Sequence, residues 1–414
     1  MHQIISRKKM KKFSCILLVL ILNINLFSCT TALISGKATI DGSPLLIKHR
    51  DSDYMQNRMV FFKDARYRFI GLVNSPDEKN LEVWGGCNSE GFAIINSASY
   101  NLKAKDDNTE EADREGILMK IALGNCATVA EFEMLLNDLP KPLGVEANFG
   151  VIDALGNGAY FETNNFSYTK FDVNDTKVAP HGYLIRTNYS FSGRKDEGYG
   201  YIRYMSAEEM ISLGTASNRI DVKYVFNNLS RNLRHALTGE DLTNNLNAAN
   251  EMKFNFFEDF IPRFSSSSSI MIRGVRKGES PDFSTIWTIL GFPLTSVAIP
   301  TFVCGGENLP NVLVGDNTGN APLCNFSLVL KNDCFPIKRG SGKRYINVSA
   351  ILNTDNTGIL QKLKPLEQSI YDKTDIYLKK WHDSGSVKSM DIKELYDWID
   401  NSILSSYKNL FNVN

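Results

Sequence analysis

The chain has 414 residues, and its 46 basic and 46 acidic side chains give a net charge of zero. This balance argues against a nucleic-acid partner, because surfaces that bind nucleic acid carry an excess of lysine and arginine. The hydrophobic share of 43% and the aromatic share of 11% are ordinary for a globular protein, so the chain can bury a large core.

The first 28 residues have the pattern of a secretory signal peptide. Five basic residues between positions 7 and 12 precede an apolar run, residues 13–22, and a short exit that ends at Ser28. That order is typical of a cleaved leader, and the run is too short to span a bilayer permanently. The sequence therefore predicts cleavage after Ser28, export to the periplasm, the cell surface or the medium, and a single domain over residues 29–414.

Cleavage at this point would make Cys29 the first residue, and this is the most informative feature of the chain. An α-amine titrates near about 7.7–8.0 and a free thiol near about 8.5, so the amine can take the proton of its own thiol. A lipoprotein signal is the alternative, since Leu26-Phe27-Ser28-Cys29 also suits lipid attachment to the sulfur. Two features count against lipidation: Phe27 is bulky, and no flexible polar tether follows Cys29.

Beyond Cys29 the pattern predicts blocks of strands and helices. A hairpin is predicted with strands at 30–35 and 45–49 around the turn Asp41-Gly42. Strands at 59–62, 67–73, 81–84 and 92–96 follow, then helices at 114–124 and 129–139. The next predicted elements are strands at 148–153, 158–162, 166–171 and 182–187 and helices at 199–213 and 221–237. The serine run 265–269 is interpreted as a loop before strands at 270–275 and 285–290, and a helical tail is expected from Pro365.

Such blocks favour stacked layers over alternating βα units, so we expect an α+β fold with two packed, mainly antiparallel sheets and helices outside. No second apolar run of about 20 residues occurs, which predicts no stable membrane span. The spacing of Cys304, Cys324 and Cys334 allows one disulfide in an exported protein, or all three can be free thiols. No CxxC pair or Cys/His cluster occurs, so no metal site is expected.

Two charged residues close the second strand of the hairpin, Arg50 and Asp53. Because this strand should run antiparallel to the one that Cys29 begins, its end returns toward Cys29. An arginine favours the thiolate form of a cysteine, and a carboxylate can hold the α-amine in place. The alternative is a solvated cluster of surface charges.

Two asparagines end predicted strands and are candidate donors to an oxyanion, Asn96 and Asn188. Asparagines at strand ends also serve as turn or cap residues, which is the alternative for both. A Cys–His protease is a further alternative, but His49, His181, His235 and His382 lie in no local signature that supports it.

The motifs Cys29-Thr30-Thr31, Arg50-x-x-Asp53, Asn88-Ser89-Glu90-Gly91-Phe92-Ala93 and Thr187-Asn188 occur in an order that resembles the cysteine N-terminal nucleophile hydrolases. This superfamily includes bile-salt and penicillin V hydrolases and the acyl-coenzyme A:isopenicillin N acyltransferase group. The segments 149–153, 159–163 and 287–297 are similar to the latter branch. The resemblance covers residues 29–306.

The resemblance implies a four-layer αββα sandwich that cleaves linear, non-peptide or N-acyl amides of small molecules without a metal or organic cofactor. It implies that Cys29 is the nucleophile and that Arg50 and Asp53 orient and tune it. Asn188 would be an oxyanion donor, with Asn96 or its neighbours contributing a backbone amide. Arg203 matches a second site arginine, with Arg194 as the competing choice. Water would resolve the thioester, with acyl transfer to an amine as the alternative, and a homo-oligomer stays open.

Overall fold

The computed structural model describes residues 28–413, so the predicted signal peptide, apart from Ser28, lies outside the described residues. Two large antiparallel sheets form the centre of this part of the chain. In spatial order, the first sheet contains β10 (Tyr183–Arg186), β1 (Cys29–Ile34), β2 (Leu45–Asp51), β14 (Ser266–Arg273), β15 (Thr285–Leu290) and β16 (Ile299–Thr301). The second contains β3 (Asn57–Phe62), β4 (Phe69–Asn74), β5 (Gly85–Asn88), β6 (Ala93–Ala98), β7 (Ala147–Ile152), β8 (Gly158–Thr163) and β9 (Tyr168–Asp172).

Helices cover the outer faces of both sheets. They are α1 (Glu115–Asn125), α2 (Val129–Asp138), α3 (Tyr201–Ala216), α4 (Val222–Val225), α5 (Pro322–Cys334), α6 (Ile359–Ser384) and α7 (Ser389–Phe411). Two small ladders pair β11 (Arg234–His235) with β12 (Glu240–Asp241) and β13 (Phe254–Phe256) with β17 (Tyr345–Asn347).

The layers are held together by two hydrophobic cores. Between the sheets, Ile270 of the first sheet packs toward Ile95 of the second, and Leu46 of the first packs toward Gly150 of the second. Outside the second sheet, Phe132 of α2 contacts Phe149 and Phe161 edge-on at 6.1 and 5.2 Å between ring centroids. The order is therefore helix, sheet, sheet, helix, which confirms the predicted fold class.

The serine run was predicted as a loop, and this prediction is wrong. Ser266–Arg273 form β14, which pairs with β2 on one side and β15 on the other. The four serines at its start are fully buried, and three of their hydroxyls bond to β2: Ser266 to the Asp51 carboxylate, Ser267 to the main-chain carbonyl of Arg50, and Ser269 to the His49 ring. Small polar residues are favoured here because they satisfy buried charged neighbours that larger apolar residues would leave unpaired.

Three other predicted boundaries differ from the structure. Residues 81–84 form no strand, because Val83 N donates to Gly116 O of α1 instead of continuing the ladder. The helix predicted at 221–237 is limited to α4 and a π-turn (Phe226–Ser230), after which the chain turns so that Arg231 meets Glu367. The tail helix α6 begins at Ile359 and contains Pro365, whose missing N–H gives up one helical bond.

All six cysteines among residues 28–413 are free thiols, including Cys304, Cys324 and Cys334. Of these three, Cys324 and Cys334 are buried in α5, and Cys304 is half-buried. The disulfide that the sequence left open is therefore not formed in the structure.

Candidate active site

Cys29 is the first residue of β1 and lies opposite Arg50 of β2 in the ladder. Its side chain is almost fully buried, with 5% exposed. Its main-chain nitrogen donates to Asn188 Oδ1 at 3.0 Å, and Asp51 N donates to the carbonyl of Ser28 at 3.0 Å. The predicted cleavage point is thus held by hydrogen bonds on both of its sides.

Cys29 lines a pocket of about 170 Å³ between the two sheets. The lining residues are Cys29, Lys48, Arg50, Tyr54, Glu82, Trp84, Asn96, Ala98, Asp113 and Glu115. A cavity of about 150 Å³ is known to accept benzene, so this pocket suits a small organic group.

Arg50 is a buried cation fixed beside Cys29. Its guanidinium donates to Asn57 Oδ1 at 2.7 Å and to Asn74 Oδ1 at 2.9 Å, and it lies 5.0 Å from the ring centre of Trp84. Burial lowers the pKa of Arg50 to about 10, while a thiolate at Cys29 and the carboxylate of Glu82 act in the opposite direction. Arg50 therefore stays cationic near neutral pH and favours a thiolate in its neighbourhood.

Arg203 and Asn188 hold the main chain on the other side of Cys29. Arg203 of α3 donates from Nη1 to Cys29 O at 2.6 Å and from Nη2 to Asn188 Oδ1 at 2.7 Å. Burial and the nearby charge of Arg263 lower the pKa of Arg203 to about 9. Asn188 Nδ2 donates to Ala98 O at 2.9 Å. The competing candidate, Arg194, instead pairs with Glu197 at 2.6 Å at the surface.

The structure places Asp53 apart from this group. Asp53 is exposed in the loop after β2 and is not among the residues that line the pocket. The buried carboxylate at this end of β2 is Asp51, which accepts from Ser266 Oγ at 2.6 Å and pairs with Arg263 at 2.9 Å. Burial raises the pKa of Asp51, but the charge of Arg263 and the bond to His49 outweigh it, so the pKa is lowered overall.

Lys48 and Glu115 line the pocket and were missed by the sequence analysis. Lys48 is two residues before Arg50, and alternation along a strand places both side chains on one face. Burial lowers the pKa of Lys48 to about 7, and burial raises the pKa of Glu115 to about 7. Strand alternation could have indicated Lys48 from the sequence. Glu115 begins helix α1, which packs on the second sheet, and no sequence pattern indicated that it lines the pocket.

Within residues 28–413, no cluster of three or more His, Cys, Asp and Glu side chains is arranged to hold a metal ion. In the same part of the chain, no helix is long and apolar enough to cross a membrane.

No protein-family model matches the chain, and the comparison with curated proteins gave no match either. Among solved structures, the chain is similar to a mutant of conjugated bile acid hydrolase from Clostridium perfringens, with 11% identity over 63% of this chain and 89% of that chain and a TM-score of 0.40. Penicillin V acylase from Agrobacterium tumefaciens has 11% identity, covers 66% and 86%, and gives a TM-score of 0.40. The Caenorhabditis elegans ortholog of N-acylethanolamine-hydrolyzing acid amidase has 16% identity, covers 59% and 92%, and gives 0.39.

TM-scores this low describe a distant likeness. The fold class of this chain therefore rests on its own strand order and layers, a four-layer αββα sandwich with Cys29 at the start of a central strand.

Proposed function

We propose that this protein is an exported amidohydrolase that cleaves a linear amide C–N bond through Cys29. The observation that carries the proposal is the position of Cys29, which begins a central strand and lines a pocket beside Arg50 while Asn188 holds its main-chain nitrogen. Nucleophilic catalysis needs an activated thiol, donors for an oxyanion and a shaped cavity, and Cys29, Arg50 and the candidate donor Asn96 line one pocket.

The reaction begins once cleavage before Cys29 has produced a free α-amine. The amine takes the thiol proton, and the sulfur attacks the carbonyl carbon, so that the electron pair of the C=O bond moves to oxygen. Collapse of this tetrahedral oxyanion breaks the C–N bond, and the leaving amine departs with the proton held by the ammonium. Water then attacks the thioester, its proton returns through the amine, and a carboxylic acid and the free thiol result.

Arg50 and Arg203 have different tasks in this scheme. Arg50 supplies positive charge beside the sulfur, which favours the thiolate that attacks. Arg203 binds the carbonyl of Cys29 and the side chain of Asn188, and so holds the residue that carries both nucleophile and base. Hydrolysis is favoured over acyl transfer because water is the abundant acceptor outside the cell.

The alternative, a lipid-anchored binding protein, needs the sulfur of Cys29 to carry a diacylglyceryl group. Cys29 is 5% exposed and lines a pocket between the two sheets, so a diacylglyceryl group on its sulfur could reach a membrane only if Cys29 left this position. This burial favours a nucleophile over an anchor.

The test uses mature protein from a secreting host. Mass spectrometry of the N-terminal peptide should show an unmodified Cys29, and a panel of N-acyl amides should show release of amine. Cys29→Ala should abolish turnover, whereas Cys304→Ala should retain it, since the Cys304 thiol donates to Asp282 O and does not line the pocket. A lipid adduct on Cys29, or full activity in Cys29→Ala, would contradict the proposal.

A further inference from the structure

Lys48 lines the pocket and reaches from one sheet to the other. It belongs to β2 in the first sheet, and its Nζ donates to Asn96 Oδ1 of β6 at 2.5 Å and to Trp84 O at 3.0 Å. The side chain is 1% exposed. A lysine in this environment loses hydration and rotational freedom on folding, so its burial needs specific partners.

The contact with Lys48 fixes the orientation of the Asn96 amide. In its protonated form Lys48 has three donors and no acceptor, so only the oxygen of the amide can face it. The nitrogen of the same amide, Nδ2, must then be directed away from Lys48. No hydrogen bond from Asn96 Nδ2 to another group is described within residues 28–413, although Asn96 is 3% exposed and lines the pocket.

Asn188, the other candidate donor, differs in this respect. Its Oδ1 accepts from Cys29 N and Arg203, and its Nδ2 donates to Ala98 O at 2.9 Å. Asn188 is therefore engaged with the main chain around Cys29, whereas the amide of Asn96 presents a donor to the cavity.

We infer that Lys48 is a positioning residue: it holds Asn96 Oδ1 so that Asn96 Nδ2 donates to the oxyanion formed when Cys29 attacks the amide carbonyl. This inference rests on the proposed function, since it assigns a further role within the same reaction. The oxyanion exists only in the transition state and the intermediate, so a preorganised donor accelerates the reaction without tightening substrate binding.

The positioning role is distinguishable from a structural one because the chain contains a second buried lysine. Lys331 of α5 is also buried, and its Nζ donates to Phe264 O near Met55. Lys331 does not line the pocket that contains Cys29. Lys331→Met is therefore the matched control for the removal of a buried ammonium.

The experiment measures kcat and KM for an N-acyl amide that the wild-type protein cleaves, together with the rate at which iodoacetamide alkylates Cys29. Lys48→Met and Asn96→Ala should each lower kcat by about 10²-fold with KM nearly unchanged, the usual loss for one oxyanion donor. The double variant should be no slower than Asn96→Ala, because Lys48 acts through Asn96. Lys331→Met should keep the wild-type kcat.

Asn96→Asp keeps the inference testable if Lys48→Met fails to fold. An aspartate retains the acceptor for Lys48 and replaces the Nδ2 donor by an anionic oxygen, so the variant should fold and lose kcat at least as much as Asn96→Ala. If Asn96→Asp keeps the wild-type kcat, or if the losses of Lys48→Met and Asn96→Ala multiply in the double variant, the inference is wrong while the proposed function stands. If wild-type protein with a free Cys29 cleaves no amide, the proposed function fails and the inference falls with it.

Discussion

At the scale of single residues, the site combines buried cations with carboxylates that line the same pocket. Lys48 and Arg50 are buried, and Glu82 and Glu115 line the same cavity. Burial raises the pKa of Glu82, and the nearby carboxylate of Asp77 adds to the rise. Because burial penalises every unpaired charge, this side of the pocket should respond to pH near neutrality.

Glu115 provides the pH prediction. Burial raises its pKa to about 7, although its carboxylate accepts from Glu146 N at 3.0 Å. An ordinary glutamate titrates near about 4.3, so between these two values the folded state binds more protons than the unfolded state. Stability therefore falls as the pH rises from about 4.3 to about 7 and then stays level.

Glu115→Gln should remove this loss, since glutamine keeps an acceptor and has no charge. The difference in free energy of unfolding between the variant and the wild type should grow by about 1–3 kcal/mol in favour of the variant when the pH is raised from about 5 to about 8. Urea unfolding at both pH values measures the gain. Glu110→Gln is the control, because this carboxylate is exposed in the same segment and should give no such difference. An equal difference at both pH values would mean that Glu115 is charged throughout.

The sequence predicted those residues of the site that lie close together in one hairpin, and it predicted the others less well. Cys29 and Arg50 follow from the signal pattern and from the return of an antiparallel strand, and they lie opposite each other. Arg203 is on a helix far along the chain, so only the resemblance suggested it. Asp53 and Asp51 could not be separated by pattern, because both follow Arg50 closely and only packing decides which carboxylate is buried.

At the scale of elements, period-two patterns predicted the strands well because one face of each strand packs on a core. The pattern failed for Ser266–Arg273, where polar residues are buried against polar neighbours of β2. It also failed beyond Glu307, where α5 and the separation of α6 from α7 were not predicted. The segment between α4 and β11 illustrates the reason, since the position of Arg231 is set by a partner more than a hundred residues away.

The pair of Arg231 and Glu367 joins this segment to α6. The guanidinium donates twice to the carboxylate, at 2.7 Å each, and Glu367 also accepts from Ala298 N. Both side chains are buried. Burial lowers the pKa of Arg231, but the carboxylate of Glu367 outweighs burial and raises it overall.

Arg231→Met should therefore destabilise the protein by about 3–5 kcal/mol, because it leaves Glu367 as an unpaired buried charge. The double variant with Glu367→Leu should recover a large part of this loss, since neither charge then remains. Thermal unfolding at constant pH compares the three proteins. If the double variant is less stable than Arg231→Met, the bond from Ala298 rather than the ion pair holds α6 in place.

At the scale of the whole molecule, the C-terminal helices belong to the same folded body as the site. Helix α7 packs on the segment after β16, where Tyr396 Oη accepts from Phe302 N at 2.8 Å. Asp400 accepts from the main chain of Asn311 and Val312 at 2.8 and 3.0 Å. These contacts tie the tail to loops that lead out of the first sheet.

A chain that ends at Lys388 should consequently lose its cooperative fold. It would lack the buried side chains Ile392, Leu395, Ile399 and Ile403, each of which is at 0% exposure. Burial of such a side chain contributes about 1.5–3 kcal/mol, so four of them approach the 5–15 kcal/mol that stabilises a typical domain. The truncated chain should therefore show no cooperative thermal transition.

Two neighbouring point variants in α7 test whether the packing of its buried face stabilises the protein. Ile403→Ala should cost about 2–5 kcal/mol because it opens a cavity in the core. Leu404→Ala should change the melting temperature little, since Leu404 is 45% exposed. A truncated chain that melts like wild type would show instead that α7 is an addition to a body already complete, and the two point variants would then be equally stable. The buried tyrosine and carboxylate contacts of α7 favour the first outcome, because their removal leaves polar main-chain groups of the central body without partners.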